Sequence, residues 1–135
     1  GVSEKTMTAP EDAKIFVEQT GISLLAPSVG NIHGMVKGGN PRLDINRIKE
    51  IRDTCGVPLV LHGGSGIADE DFVNAIKAGI SIIHINTEIR VAYKEALEKY
   101  LKENPTEVAP YKILKPAVSA IEKVVEQRLK LFNSL

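Results

Sequence analysis

The sequence predicts an α/β fold with a parallel sheet, because strand-like and helix-like segments alternate along the chain. Three short apolar runs, at 22–30, 58–61 and 80–87, have the length expected of buried strands. Such strands need cover on both faces and a neighbour at each edge. A closed eight-stranded barrel has about 250 residues, so the 135 residues correspond to about half of one.

Composition and charge narrow the class of protein. The chain is 43% apolar and carries 17 basic and 17 acidic side chains, so no overall field attracts nucleic acid or a membrane surface. No apolar run approaches the ~20 residues of a membrane span, and no signal sequence is recognisable. We expect a single domain over 1–135 and, because the lone Cys55 cannot form an internal disulfide, a cytoplasmic location. Cys55 is interpreted as a packed residue rather than a reactive thiol.

The first segments are predicted to be a loop, a helix and a strand. Residues 1–10 are polar and aperiodic, and a helix is expected to begin at Pro10 and to end at Gly21, which suits a left-handed conformation. The apolar stripe of this helix consists of Ala13, Phe16 and Val17. Pro27 is expected to mark the end of the first strand or a bulge, because proline cannot donate a ladder hydrogen bond.

Two helices are predicted around the central strand. Asp44 is expected to cap the first, which ends at Gly56, and Asp69 the second, which ends at Gly79. Their inward positions are Ile45, Ile48, Ile51, Phe72, Val73 and Ile76.

Two further helices complete the prediction. One runs from about Glu88 to Lys102 and directly follows the third strand. Residues 105–135 form a terminal helical extension, with a helix from roughly Tyr111 to Leu131 after two prolines.

All the histidines of the chain follow predicted strands. His33, His62 and His84 lie at or just past the carboxyl ends of the three strands, where parallel α/β folds place their active sites. A single histidine is more often structural, but three at equivalent positions favour at least two ligands or catalytic groups. Zinc suits such a set, since it binds neutral imidazoles and keeps one position open.

The loop 63–66 predicts an anion site beside these histidines. Its glycines let backbone N–H groups approach a phosphate, and Ser65 adds a hydroxyl. Asn86 and Thr87 are expected to address the same phosphate; capping of the following helix is an alternative role that is compatible with it. Lys37 either adds a positive charge to the site or is simply solvated.

Three segments closely resemble, in order and spacing, motifs of the class II (metal-dependent) fructose-bisphosphate and tagatose-bisphosphate aldolases. These segments are Gly30-Asn31-Ile32-His33-Gly34, Leu61-His62-Gly63-Gly64-Ser65-Gly66 and His84-Ile85-Asn86-Thr87-Glu88. The resemblance covers essentially the whole chain and aligns it with the carboxyl-terminal half of a (β/α)8 TIM barrel. It implies that the chain supplies about the last three βα units plus a terminal helix.

The resemblance assigns roles to these residues. It implies that His33 and His62 are two of three protein ligands of Zn²⁺ or another divalent metal, which polarises the substrate ketone so that an enediolate can form. Substrate and phosphate binding would fall to Gly34, Gly63, Gly64, Ser65, His84, Ile85, Asn86 and Thr87. In that family, loop carbonyls also hold a monovalent cation, Na⁺ or K⁺.

The chain departs from the family pattern in several places. The family's catalytic aspartate and third zinc histidine are adjacent, and the sequence contains no matching pair. Its mobile-loop glutamate has no secure counterpart, and Glu4 is not assigned to that role. His84 stands where the family usually has an asparagine; it either contacts the enediolate, which the spacing favours, or serves as a third metal ligand.

The resemblance implies a lyase of glycolysis and carbohydrate metabolism. It would reversibly cleave a ketose 1,6-bisphosphate into dihydroxyacetone phosphate and glyceraldehyde 3-phosphate, and the favoured substrate is fructose 1,6-bisphosphate. The enzyme would be a cytoplasmic dimer or tetramer. We expect the chain alone to be almost inactive until an amino-terminal half, from the same gene or a separate chain, completes the barrel. The alternatives are a tagatose-bisphosphate aldolase and a non-catalytic half-barrel module for phosphate binding or scaffolding.

Overall fold

The computed structural model describes residues 6–34 and 41–133 and divides the chain into two compact units, of which the first ends at Ile85 and the second begins at Asn86. From residue 45 onward, the secondary structure assigned in the described residues alternates as the sequence predicts. Its elements are α1 (Pro10–Thr20), α2 (Ile45–Cys55), β1 (Leu59–Leu61), α3 (Asp69–Ala78), β2 (Ile80–Ile83), α4 (Thr87–Glu103) and α5 (Pro110–Asn133).

The strands β1 and β2 pair in parallel, and α3 connects them. Val60 lies opposite Ile82 and Leu61 opposite Ile83, with an irregularity in the register after Leu59. All three side chains of β1 are buried, which confirms that this apolar run is the central strand. The third strand is shorter than predicted, because its ladder ends at Ile83 rather than at residue 87.

The prediction of a full strand at 22–30 is wrong. Within the described residues this segment pairs only at Leu25, which forms a single parallel bridge with Leu59. Pro27 has no N–H to extend the ladder. The next two backbone N–H groups donate instead to side chains: that of Ser28 to Thr8 Oγ1 and that of Val29 to Asn31 Oδ1, each over 2.9 Å.

Helix α1 has the predicted ends but a narrower buried face. Pro10 is its first residue, and Gly21 adopts a left-handed conformation (φ 65°) and donates to the carbonyl of Val17. Ala13 and Val17 are buried, whereas Phe16 is 52% exposed, contrary to the predicted stripe. Each residue advances about 100° around a helix, so Phe16 lies well away from Val17 and outside the face that packs on α2.

The two central helices begin differently. Asp44 caps α2 as predicted, because its carboxylate accepts from the backbone N–H of Arg47 at 3.0 Å. The prediction that Asp69 caps α3 is wrong: the cap position is held by Ala68, and Asp69 is the first helical residue. There its charge still lies in the first turn, where the helix dipole favours an acid. The side chains of Ile48, Ile51 and Phe72 are fully buried in the core.

The second unit consists of α4 packed on α5. Arg128 forms a two-pronged ion pair with Glu88 at the start of α4, over 2.6 and 2.8 Å. Before α5, Glu107 pairs with Lys112 and accepts two backbone N–H groups, which lowers the pKa of its carboxyl. None of the helices in the described part of the chain combines the length and apolar character that a membrane crossing requires.

Replacement of Asp44 tests the cap of α2. We expect Asp44→Ala to lower the free energy of unfolding by about 1 kcal/mol, because the first turn loses its acceptor. Asp44→Asn keeps an acceptor oxygen at the same place and is expected to retain most of that stability. Urea denaturation followed by circular dichroism measures both variants, and equal losses would contradict the capping role.

Candidate functional site

The pairing of β1 with β2 brings two histidines together. His62 follows Leu61 and His84 follows Ile83, and these two strand residues lie opposite each other in the ladder. The backbone N–H of His84 also donates to the carbonyl of Leu61 over 2.9 Å. As a result the two imidazole rings meet edge to face, with centroids 4.4 Å apart and 3.3 Å between their Nδ1 atoms. Such a contact requires one ring to donate and the other to accept.

His33 joins this pair from the loop after the Leu25 bridge. Its ring centroid lies 5.8 Å from that of His62, and the two rings are inclined by 40°. The side chains of His33 and His84 are exposed, and that of His62 is half-buried. The three histidines that the sequence singled out therefore form one cluster at the ends of neighbouring backbone segments.

Two glycines permit the close packing of the loops that carry these histidines. Gly63 has a φ of 64°, and a Cβ atom at this position would lie only 2.6 Å from the carbonyl oxygen of Ile32. A Cβ at Gly64 would lie 2.6 Å from the side chain of Ile85 and 3.1 Å from the carbonyl oxygen of His84. The sequence suggested glycines for phosphate approach. The structure adds a second requirement, since larger residues would push the loops apart.

The other predicted site residues have different surroundings. Gly34 has a φ of 89°, and no described atom lies within 4 Å of where its Cβ would be. Ser65 is buried beside the packed glycines. In the second unit, Asn86 occupies the position before α4 and Thr87 is its first residue, but among the described residues the Asn86 side chain makes no capping bond. Lys37 lies outside the described residues.

The histidine cluster fits part of a metal site. Zn–N bonds of about 2 Å place the ring centres of two tetrahedral ligands about 5 Å apart. The 5.8 Å between His33 and His62 is close to this separation. Within residues 6–34 and 41–133, however, no group of three or more histidine, cysteine, aspartate or glutamate side chains is placed to hold a metal ion. The described residues thus offer an incomplete ligand set.

Asn31 is a contributor to the site that the sequence reasoning missed. Its amide oxygen accepts from the backbone N–H of Val29, and its amide nitrogen donates to the carbonyl of His62, each over 2.9 Å. The feature of the sequence that could have indicated this role is an asparagine two residues before His33 and directly after a glycine. Nothing in the sequence indicates that its second partner lies 31 residues further along the chain.

Comparisons with known proteins agree with the motif pattern. The family model described as class II fructose-bisphosphate aldolase matches residues 1–135. A fructose-bisphosphate aldolase of Geobacillus stearothermophilus is 40% identical over 125 residues, which are 93% of this chain and 43% of that protein.

Solved structures give the same result. The YdjI aldolase of Escherichia coli K12 superposes with a TM-score of 0.81 and 38% identity, over 95% of this chain and 46% of that one. A fructose-bisphosphate aldolase of Campylobacter jejuni gives a TM-score of 0.77 and 25% identity, over 96% and 46% of the two chains. The chain thus spans less than half the length of these relatives.

Substitution of glycine tests the packing at Gly63. Both Gly63 and Gly66 have positive φ, at 64° and 87°, so an alanine at either position incurs similar backbone strain. Only at Gly63 would the new methyl group overlap the carbonyl of Ile32. We therefore expect Gly63→Ala to be less stable than Gly66→Ala by a further ~1–3 kcal/mol in urea denaturation. Equal losses would show that the loops are free to move apart.

Proposed function

The chain belongs to the class II fructose-bisphosphate aldolase family, and from this premise we propose that it supplies the carboxyl-terminal part of a metal-dependent aldolase site on a (β/α)8 barrel. The observation that carries the proposal is the placement of His33 and His62. The centroids of their rings lie 5.8 Å apart, and the backbone of Ile32 lies close against Gly63, so the two loops are neighbours.

His33 and His62 are proposed as two ligands of Zn²⁺ or another divalent metal. When bound, the ion supplies Lewis-acid polarisation of the substrate ketone. The donor chemistry suits this role, because imidazole nitrogen is a preferred ligand of zinc. The remaining ligand and the catalytic acid are proposed to come from residues outside this chain, in an amino-terminal half of the barrel. The incomplete ligand set and the partial coverage of the relatives support this view.

The substrate phosphate is proposed to bind at the strand-end loops. Gly34 offers an open backbone position, and Ser65, which carries a hydroxyl, directly follows Gly64 in the sequence. Carbonyls of these loops are the proposed ligands of a monovalent cation, which offsets the phosphate charge. The other proposed phosphate contacts are Ile85, Asn86, Thr87 and, outside the described residues, Lys37.

His84 is proposed to contact the substrate rather than the metal. Its Nδ1 already faces Nδ1 of His62 at 3.3 Å, and it forms no three-group metal cluster with the other described histidines. Because its ring is exposed beside one of the proposed metal ligands, it is proposed to hydrogen-bond an oxygen of the ketose. This arrangement suits a group that steadies developing negative charge.

The proposed reaction is the reversible cleavage of fructose 1,6-bisphosphate into dihydroxyacetone phosphate and glyceraldehyde 3-phosphate. The activity named for the Geobacillus relative, at 40% identity, supports this substrate. The proposal extends to a cytoplasmic, homo-oligomeric enzyme of glycolysis.

Completion of the barrel tests the function. The chain is fused to the part of the Geobacillus aldolase that does not align with it. Release of triose phosphate by this fusion is followed by a coupled NADH assay. We expect the fusion to cleave fructose 1,6-bisphosphate and the 135-residue chain alone to retain less than ~1% of that rate, because the acid and a ligand are missing. Tagatose 1,6-bisphosphate is assayed in parallel to define the sugar specificity.

Two variants of the fusion connect the activity to the metal site. His62→Ala is expected to reduce kcat/KM at least ~100-fold, since Lewis-acid stabilisation contributes several kcal/mol. Lys49→Ala, at an exposed position on α2, serves as the matched surface control and should leave the rate unchanged. Full activity of His62→Ala, or activity that survives exhaustive chelation, would refute the proposal.

A further inference from the structure

We infer that Asn31 is a positioning residue that sets the separation of the two imidazoles at the site. The inference rests on the proposed function, because it concerns the same metal ligands, His33 and His62. It assigns to a neutral amide a role that neither the motifs nor the histidine cluster indicates.

The side chain of Asn31 joins two backbone segments that are distant in sequence. Its Oδ1 accepts from the N–H of Val29, and its Nδ2 donates to the carbonyl of His62, each over 2.9 Å. Val29 is fully buried, and its own carbonyl accepts from the N–H of Asp44. One amide therefore connects the end of β1 to a turn that is anchored in the core.

The neighbouring contacts leave this turn little freedom to shift. Gly30 has a φ of 103°, and a Cβ there would overlap the carbonyl oxygen of Arg42. On the other side of Asn31, the carbonyl of Ile32 lies against Gly63. Because His33 is only two residues from Asn31, we expect a shift of this turn to move the His33 ring as well.

The two bonds of Asn31 require an amide. One bond uses an acceptor and the other a donor, and a carboxylate provides only acceptors. Asn31→Asp keeps the bond from Val29 but turns an oxygen towards the His62 carbonyl, which replaces attraction by repulsion. We expect this single change to move His33 and His62 apart while the turn itself is retained.

Zinc affinity of the fusion with the Geobacillus portion is the test, measured by competition with a chromogenic chelator, because that portion supplies the remaining proposed ligand. We expect Asn31→Asp to bind Zn²⁺ roughly 10–100-fold more weakly, as is typical when a group that orients a ligand is lost. The matched control is Asn104→Asp, because Asn104 Nδ2 also donates to a backbone carbonyl, that of Tyr100, over 3.0 Å, but in the second unit. This control should keep the original affinity.

A spectroscopic readout distinguishes positioning from general loss of structure. With Co²⁺ in place of zinc, Asn31→Asp is expected to change the visible absorption bands of the bound ion, whereas Asn104→Asp is not. If Asn31→Asp fails to fold by circular dichroism, Asn31→Ala replaces it, since alanine removes both bonds without adding charge.

Reference variants separate this inference from the proposed function. If His33→Ala and His62→Ala leave zinc binding of the fusion unchanged, or the original fusion binds no zinc, the proposed metal site is refuted. If those variants weaken binding while a folded Asn31 variant keeps the original affinity and Co²⁺ spectrum, the site stands and the role of Asn31 is refuted. Weaker binding by the Asn31 variant, with Asn104→Asp unchanged, supports the inference.

Discussion

The parallel pairing of β1 with β2 is the interaction on which the rest of the candidate site depends. Leu61 lies opposite Ile83, so the residues that follow them, His62 and His84, leave the sheet side by side. Because side chains alternate along a strand, a slip of one residue would turn these side chains to the other face. All three side chains of β1 are apolar and buried, so burial alone does not distinguish its two faces, and the bond from the N–H of His84 to the carbonyl of Leu61 helps to define the register.

The glycines of the strand-end loops have two functions at once. They leave backbone N–H groups accessible to an anion, and they allow three loops to approach more closely than any side chain would permit. At Gly63 the close neighbour is the carbonyl of Ile32, and at Gly64 the close neighbours are the side chain of Ile85 and the carbonyl of His84. Loop packing and ligand binding thus constrain the same short segment, and a substitution there affects both.

Much of the local structure was predictable from short stretches of sequence. The ends of α1, the cap at Asp44 and the left-handed residues at Gly21 and Gly56 depend on interactions within four or five residues. The failures have a local cause as well. Asp69 lies one residue past the cap position of α3, and the segment 22–30 pairs only at Leu25, two residues before the proline that was expected to mark a strand end or a bulge.

The burial of apolar side chains was less predictable. Phe16 in the first unit and Val118 and Leu129 in the second fit helical periodicity, yet all three are exposed. Periodicity identifies the apolar side of a helix, but the width of the buried strip depends on how closely the neighbouring element approaches.

The sequence by itself determined the alternation of strands and helices from residue 45 onward, the family motifs and the positions of His62 and His84 directly after the paired strands. Only the tertiary structure decided the 5.8 Å and 4.4 Å separations of the rings and the bond between Asn31 and His62. The physical reason is the range of the interactions. Caps and turns are determined by adjacent residues, whereas these contacts join residues 22 to 31 positions apart, whose approach depends on the packing of the whole sheet and its loops.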